Sequence, residues 1–183
     1  FPDYVFNFEG AIKYMFAKEY YPDLYKRLKG YVVSGQWHIS GSSVDANDVM
    51  VPSAEAIVRN FLLGEKFYKK EFGVNGGNDI MLPDCFGFPY SLPTLAKYCG
   101  IVGFHSQKLS WGSAYSYSDF PNYGLWRGVD GSEIFAIYKP GAYVNKYKEN
   151  LSYNGDILSE IISNKTKLGA AKTVRYYGTG DRG

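Results

Sequence analysis

The clearest capacity for chemistry in this chain lies in Leu82-Pro-Asp-Cys-Phe-Gly-Phe88. The apolar run Ile80-Met81-Leu82 reads as a buried strand, and Asp84 stands where that strand ends. In α/β sheets the ligand pocket lies outside the carboxyl ends of the strands, so an acid in this position points at a ligand. The competing reading is that Asp84 caps the helix predicted from about Leu92 to Tyr98. Other reactive side chains are few. Cys85 and Cys99 lack the spacing of metal ligands and read as buried free thiols. His38, at a strand start, and His105, on the strand that precedes Lys108, read as satisfied structural histidines.

Composition bounds the partners. With 20 Lys+Arg against 18 Asp+Glu, the net charge of +2 gives no argument for a nucleic acid or another polyanion. No stretch is long and apolar enough to span a bilayer. Aromatic residues make up 18% of the 183 residues, with 18 Tyr and 12 Phe. Tyrosine and tryptophan suit sugar recognition, because a ring face stacks on the C–H face of a pyranose while its polar atom finds a partner. The alternative is that tyrosine fills the core.

Strands predicted over Tyr4–Phe8, Trp37–Ser40, the Ile80 run, Ile101–Ser106 and Glu133–Tyr138 alternate with helical patterns. The helices run from Glu9 to Tyr20, from Pro22 to a stop at Gly35, from the cap Ser53 to Gly73, and from about Asp156 to Leu168. Asp130-Gly131 joins Leu125–Val129 to Glu133–Tyr138 as a hairpin, and Thr173–Tyr177 reads as a final strand. This order predicts an α/β fold with a mainly parallel sheet and flanking helices. The polar loop Gly41–Val51 is too long for a plain connector.

Six segments stand out in order and spacing: Tyr20-Tyr-Pro-Asp-Leu-Tyr25, Val51-Pro-Ser-Ala-Glu-Ala-Ile-Val-Arg-Asn-Phe-Leu-Leu-Gly64, Phe67-Tyr-Lys-Lys-Glu-Phe-Gly73, Leu82-Pro-Asp-Cys-Phe-Gly-Phe88, Leu92-Pro-Thr-Leu95 and Ser106-Gln-Lys-Leu-Ser-Trp111. Together they resemble the catalytic domain of class II α-mannosidases, glycoside hydrolase family 38, with bacterial members the most similar. The resemblance implies a retaining, zinc-dependent hydrolase of terminal α-mannosides in an oligosaccharide or glycan, built on a seven-stranded β/α barrel. It assigns Asp84 as both nucleophile and zinc ligand. Phe86 becomes a sugar-face contact, and Lys108 a cation that keeps the nucleophile charged or binds a hydroxyl, with packing or surface charge as the alternative for both. Asp45 matches an acidic position in the loop facing the site, with hydrogen bonding inside the loop as its alternative. Tyr143, Trp111 and Trp126 are further candidates to line a sugar site, with core packing the alternative for Trp126.

The same resemblance defines what is missing. The family's His-x-Asp pair would lie before Phe1 and a further zinc-ligating His after Gly183; neither His38 nor His105 sits in such a pair. Residues 1–183 are therefore expected to be an interior piece of the catalytic barrel, inactive alone and prone to self-association through cut edges. Retention needs a second carboxyl about 5–5.5 Å from the nucleophile. Asp181, in Gly178-Thr-Gly-Asp, is the candidate general acid, with an ordinary turn as the alternative. Two rival functions remain at this level: a metal-dependent hydrolase of the polysaccharide deacetylase type, and a non-catalytic carbohydrate-binding domain. The compartment, periplasmic or cytoplasmic in a bacterium, is left open.

Overall fold

The computed structural model describes residues 3–73, 76–110, 121–148 and 150–178. Strand β1 (Phe6–Phe8) leads into helices α1 (Ala11–Tyr20) and α2 (Pro22–Ser34), then β2 (Trp37–Ile39). The long helix α3 (Ala54–Phe72) precedes β3 (Asp79–Met81), α4 (Leu92–Tyr98) and β4 (Gly103–His105). The hairpin β5 (Tyr123–Arg127) and β6 (Glu133–Ile137) is followed by α5 (Gly155–Leu168). The helix boundaries follow their signals. Pro22 opens α2, which Gly35 ends at φ 79°; the Ser53 hydroxyl accepts from Ala56 N in the first turn of α3, and Gly73 ends it at φ 72°.

The six strands form two sheets among the described residues, with no closed barrel. β1 and β2 pair in parallel. The other sheet has the order β3-β4-β6-β5, with β3, β4 and β6 parallel and β5 antiparallel at the edge. The two sheets meet at Asp79, whose carbonyl accepts from Ser42 N at 2.9 Å and whose Oδ1 accepts from Gly41 N at 2.9 Å.

The predicted strand Thr173–Tyr177 does not form. Its place beside β6 is taken by β5, which pairs with β6 from Glu133 to Ile137. Beyond the hairpin, the carbonyls of Pro140 and Asn145 accept from Tyr176 N at 2.6 Å and Gly178 N at 3.0 Å. Two of the segment's side chains turn to α5, Thr173 and Arg175 both bonding Glu160, and Asn164 donates to Lys172 O at 2.7 Å.

Part of the tyrosine that the composition offered for sugar binding is core around the first sheet, while Tyr4, Tyr20, Tyr21 and Tyr31 are exposed. Tyr14, Tyr25 and Tyr68 are buried with Ala11 between α1, α2 and α3. Trp37 Nε1 donates to the Tyr14 hydroxyl at 2.9 Å, which donates to Phe8 O at 3.0 Å. Burial pushes the Tyr14 hydroxyl up to about 12. The second core, under the β3-β4-β6-β5 sheet, is aliphatic and phenyl, including Ile57, Phe61, Ile80, Leu82, Phe104 and Ile134.

Loop 41–51 is fixed by this packing. The carbonyls of Ser43 and Val44 accept from the first α1 amides, Ala11 N at 3.1 Å and Ile12 N at 2.8 Å, where α1 has no side-chain cap. Its inner turn lies on Gly64 of α3 so closely that a Cβ there would stand 2.2 Å from Ser42 O.

Two predictions follow from these contacts. Gly→Ala inside a helix ordinarily stabilises by about 0.5–1 kcal/mol, but overpacking against the Ser42 carbonyl reverses the sign, so Gly64→Ala should lose about 1–3 kcal/mol in a urea titration. A gain would show that the loop is not seated on α3. At the hairpin turn, hydrogen bonds from Thr94 Oγ1 (2.6 Å) and Ser132 N (3.0 Å) hold the Asp130 carboxyl down at about 2, against 3.8. A depressed acid adds stability that is present above its unfolded value and lost as pH falls through the folded one. Asp130→Asn should therefore flatten the loss of stability between about pH 4 and pH 2; identical acid slopes in the two proteins would refute this.

Candidate active site

The carboxyl ends of β3 and β4 bring three of the sequence candidates together. Leu82 N donates to His105 O at 3.2 Å, extending the β3–β4 pairing one step before Pro83 turns Asp84 out of the sheet. One strand over, Ser106, Gln107 and Lys108 are all buried. The Lys108 Nζ lies 2.5 Å from Asp84 Oδ1, the lysine side chain being 3% exposed and the aspartate 54%. Lysine is almost never fully buried without a partner, because the desolvation of an ammonium is costly. Here a carboxylate supplies the partner, and the pair meets at the solvent boundary. The same Nζ stands 4.7 Å from the centroid of the Phe86 ring, which is 79% exposed. Asp84, Lys108 and Phe86 thus form one cluster: an anion open to solvent, a cation fixed behind it and an exposed aromatic face.

The backbone around the cluster is held by neighbours that the sequence did not single out. The Cys85 thiol donates to Asn47 O at 3.0 Å, and Gly87 lets Met50 approach to where a Cβ would stand 2.9 Å from its Cγ. Loop 41–51 therefore lies over the turn that carries Asp84. Burial, with Asp48, Asp84 and Glu9 nearby, pushes the Cys85 thiol up to about 11, so it stays protonated as a donor. The Ser106 hydroxyl accepts from Lys108 N at 3.1 Å, and Gln107 Oε1 accepts from Tyr143 N at 2.9 Å. The signal for these roles was polar residues where a buried strand ends, in Ser106-Gln-Lys108.

The remaining candidates are placed elsewhere. Asp45 uses its carboxylate locally, accepting from Ala46 N at 3.0 Å, while its backbone is bound to Asn60 of α3. Tyr143 is half-buried and joined to the site through its backbone bond to Gln107. Trp126 packs edge-on against Phe104 at 4.9 Å and also faces a cavity beside the cluster, so it has both a core contact and a place at the site. Asp181 and Trp111 lie outside the described residues. His105 is indeed satisfied, between Asp79 Oδ2 at 2.7 Å and the Tyr176 hydroxyl. His38 corrects the expectation: it is exposed, and it has no side-chain hydrogen bond among the described residues. A three-residue strand buries one face, and His38 pairs with Asn7 on the other. Both cysteines are free and half-buried.

A cavity of about 730 Å³ opens beside the cluster, with Phe86 and Lys108 at one side and Phe88, Tyr123 and Trp126 among its walls. That is large enough for a ligand of disaccharide size. Among the described residues no three His, Cys, Asp or Glu side chains gather so as to hold a metal. Asp84 is the half-exposed oxygen donor at the site, with Oδ1 on Lys108.

Comparison with known proteins places the chain in a family. The chain matches the glycosyl hydrolases family 38 N-terminal domain over residues 1–183. It is 34% identical over its whole length to alpha-mannosidase G of Dictyostelium discoideum and to human alpha-mannosidase 2C1, covering 16% and 17% of those proteins. It is 33% identical to the alpha-mannosidase of Saccharomyces cerevisiae, again covering 16%. Among solved structures, an alpha-mannosidase from Enterococcus faecalis superposes with a TM-score of 0.68 at 20% identity, over 96% of this chain and 20% of that one. A 4-alpha-glucanotransferase from Thermococcus litoralis gives 0.66 at 12% identity, over 97% of this chain and 27% of that one, which speaks for the shared fold alone. The chain spans about a sixth of the length of the curated relatives it matches. With the whole sequence matched, the chain belongs to glycosyl hydrolase family 38, within its N-terminal domain.

Proposed function

We propose that these residues are part of the catalytic domain of a retaining, zinc-dependent α-mannosidase, in which Asp84 is the nucleophile. The supporting observation is the pairing of half-exposed Asp84 with buried Lys108 at the carboxyl ends of β3 and β4. A carboxylate that attacks an anomeric carbon must be ionised, oriented and accessible. Lys108 faces Asp84 with the opposite charge and orients it, and the exposure of Asp84 leaves it accessible.

In this reading Asp84 attacks the anomeric carbon of a terminal α-mannoside, forming an ester to the sugar as the glycosidic C–O bond breaks. The departing oxygen takes a proton from a second carboxyl, for which Asp181 is the proposed source. The same group then removes a proton from the water that opens the ester. Lys108 balances the negative charge on Asp84 before attack and again when the ester is released. Phe86 offers its exposed face to the C–H side of the sugar. Tyr143 and Asp45 belong to the two loops proposed to face the substrate, and the cavity beside Phe86 leaves room for the rest of a glycan.

Asp84 fits one position of a zinc site. It is a hard oxygen donor at a solvent-open strand end, and its second oxygen has no protein partner among the described residues. The other ligands would come from outside the described residues, as the seven-stranded barrel and the remaining domains of the parent protein would. Bound zinc would supply a Lewis acid beside the sugar hydroxyls. Association of the parent into a homo-oligomer belongs to the same proposal.

The test uses the full-length parent protein. Its metal content and its turnover of a nitrophenyl α-mannoside are measured with and without Asp84→Asn. One zinc per chain and a loss of roughly 10⁴-fold or more in kcat are expected. A metal-free parent whose activity or sugar affinity is untouched by Asp84→Asn would leave Asp84 as a turn residue and overturn the reading.

A further inference from the structure

β4 ends in three side chains with three different tasks. Lys108 pairs with Asp84, Gln107 holds Tyr143 N at 2.9 Å, and His105 joins Asp79 to Tyr176. We propose that His105 is a positioning residue: with Asp79 and Tyr176 it latches segments 140–145 and 173–178 onto the exit of β4, and so fixes the wall of the site that carries Tyr143. The inference rests on the mannosidase reading for its kinetic consequence, though its structural content stands apart from it.

The latch is a continuous hydrogen-bonded chain. Asp79 is anchored at one end because its Oδ1 accepts from Gly41 N at 2.9 Å. Its Oδ2 lies 2.7 Å from His105 Nε2, which therefore carries the ring proton and donates it. The Nδ1 atom is left as an acceptor and meets the Tyr176 hydroxyl. Burial, with a smaller contribution from Asp79, pushes the Tyr176 phenol well above its ordinary range. It stays protonated and donates to Nδ1, so each of the three groups has one role in the chain.

What the chain fixes at its far end is also held by Thr173 and Arg175, which bond Glu160, and by a few backbone bonds. Segment 173–178 forms no strand, and its backbone bonds to the β6 exit are Tyr176 N to Pro140 O at 2.6 Å and Gly178 N to Asn145 O at 3.0 Å. The 140–145 loop is in turn bound to β4 through Tyr143 N and Gln107. His105 at the end of β4 and Gln107 two residues beyond it thus hold the same wall from both of its layers. The Asp84–Lys108 pair takes no part in the latch, so loosening it should alter how substrate is seated more than how fast the bound sugar reacts.

The experiment uses the full-length parent with Tyr176→Phe, His105→Phe and the double variant. Tyr176→Phe deletes one oxygen and keeps the ring, so it remains informative even if His105→Phe folds poorly. Amide hydrogen exchange at Tyr143 and Tyr176 should accelerate about tenfold, the scale of one lost hydrogen bond, while Phe104 in β4 is unchanged. KM for a nitrophenyl α-mannoside should rise about tenfold with kcat within about twofold, and the double variant should be no worse than the worse single one. Unchanged exchange at Tyr143 would overturn the latch, as would a fall in kcat at constant KM, the pattern of a reduced folded fraction. A parent that turns over no mannoside refutes the proposed function, and the exchange measurement then decides the latch alone.

Discussion

The site depends on one electrostatic constraint, the burial of the Lys108 ammonium behind Asp84. A cation 3% exposed must be matched in charge and position, and a backbone shift that separates it from Asp84 takes a charge partner from a buried ammonium. This adds to the coupling that the short ladder gives the two strand exits. β3 and β4 pair over only three residues each. Beyond them the chain is held by Leu82 N on His105 O, by Ser106 under Lys108 N and by the ion pair itself.

Around that pair the fold relies on loops bound by carbonyls and small residues. Loop 41–51 supplies the carbonyls that α1 lacks as a cap, rests on Gly64 of α3 and accepts the Cys85 thiol. One segment thereby closes a helix end, fills the space between elements and supports the turn that carries Asp84. Its length, which argued against a plain connector, has a structural use as well as a place beside the site.

What was legible in the sequence was local. Pro22, Gly35, Ser53 and Gly73 marked helix ends because caps depend on neighbouring residues only. The position of Asp84 at a strand end, and the polar run after β4, were readable for the same reason. What was not legible is competition and burial at a distance. Thr173–Tyr177 has the composition of a strand, yet β5 had already taken the edge of β6. Lys108 reads as a surface residue until Asp84 is placed beside it. The abundance of tyrosine could not reveal that Tyr14, Tyr25 and Tyr68 are core, since their hydroxyl partners and neighbours come from separate elements. His38 and His105 look alike in sequence, and only the register separates an exposed ring from a linked one.

The seam at Asp79 also sets an order of assembly. The first ladder and its helices are complete early in synthesis, but their aromatic core lacks Tyr68 and Phe72 until α3 has followed. The second sheet needs β6, more than fifty residues beyond β3, before β4 is covered on both sides. A nascent chain emerging N-terminus first therefore holds an unfinished aromatic surface while it waits for its partner half. Until α3 closes over Tyr14, that surface is open to association with other chains.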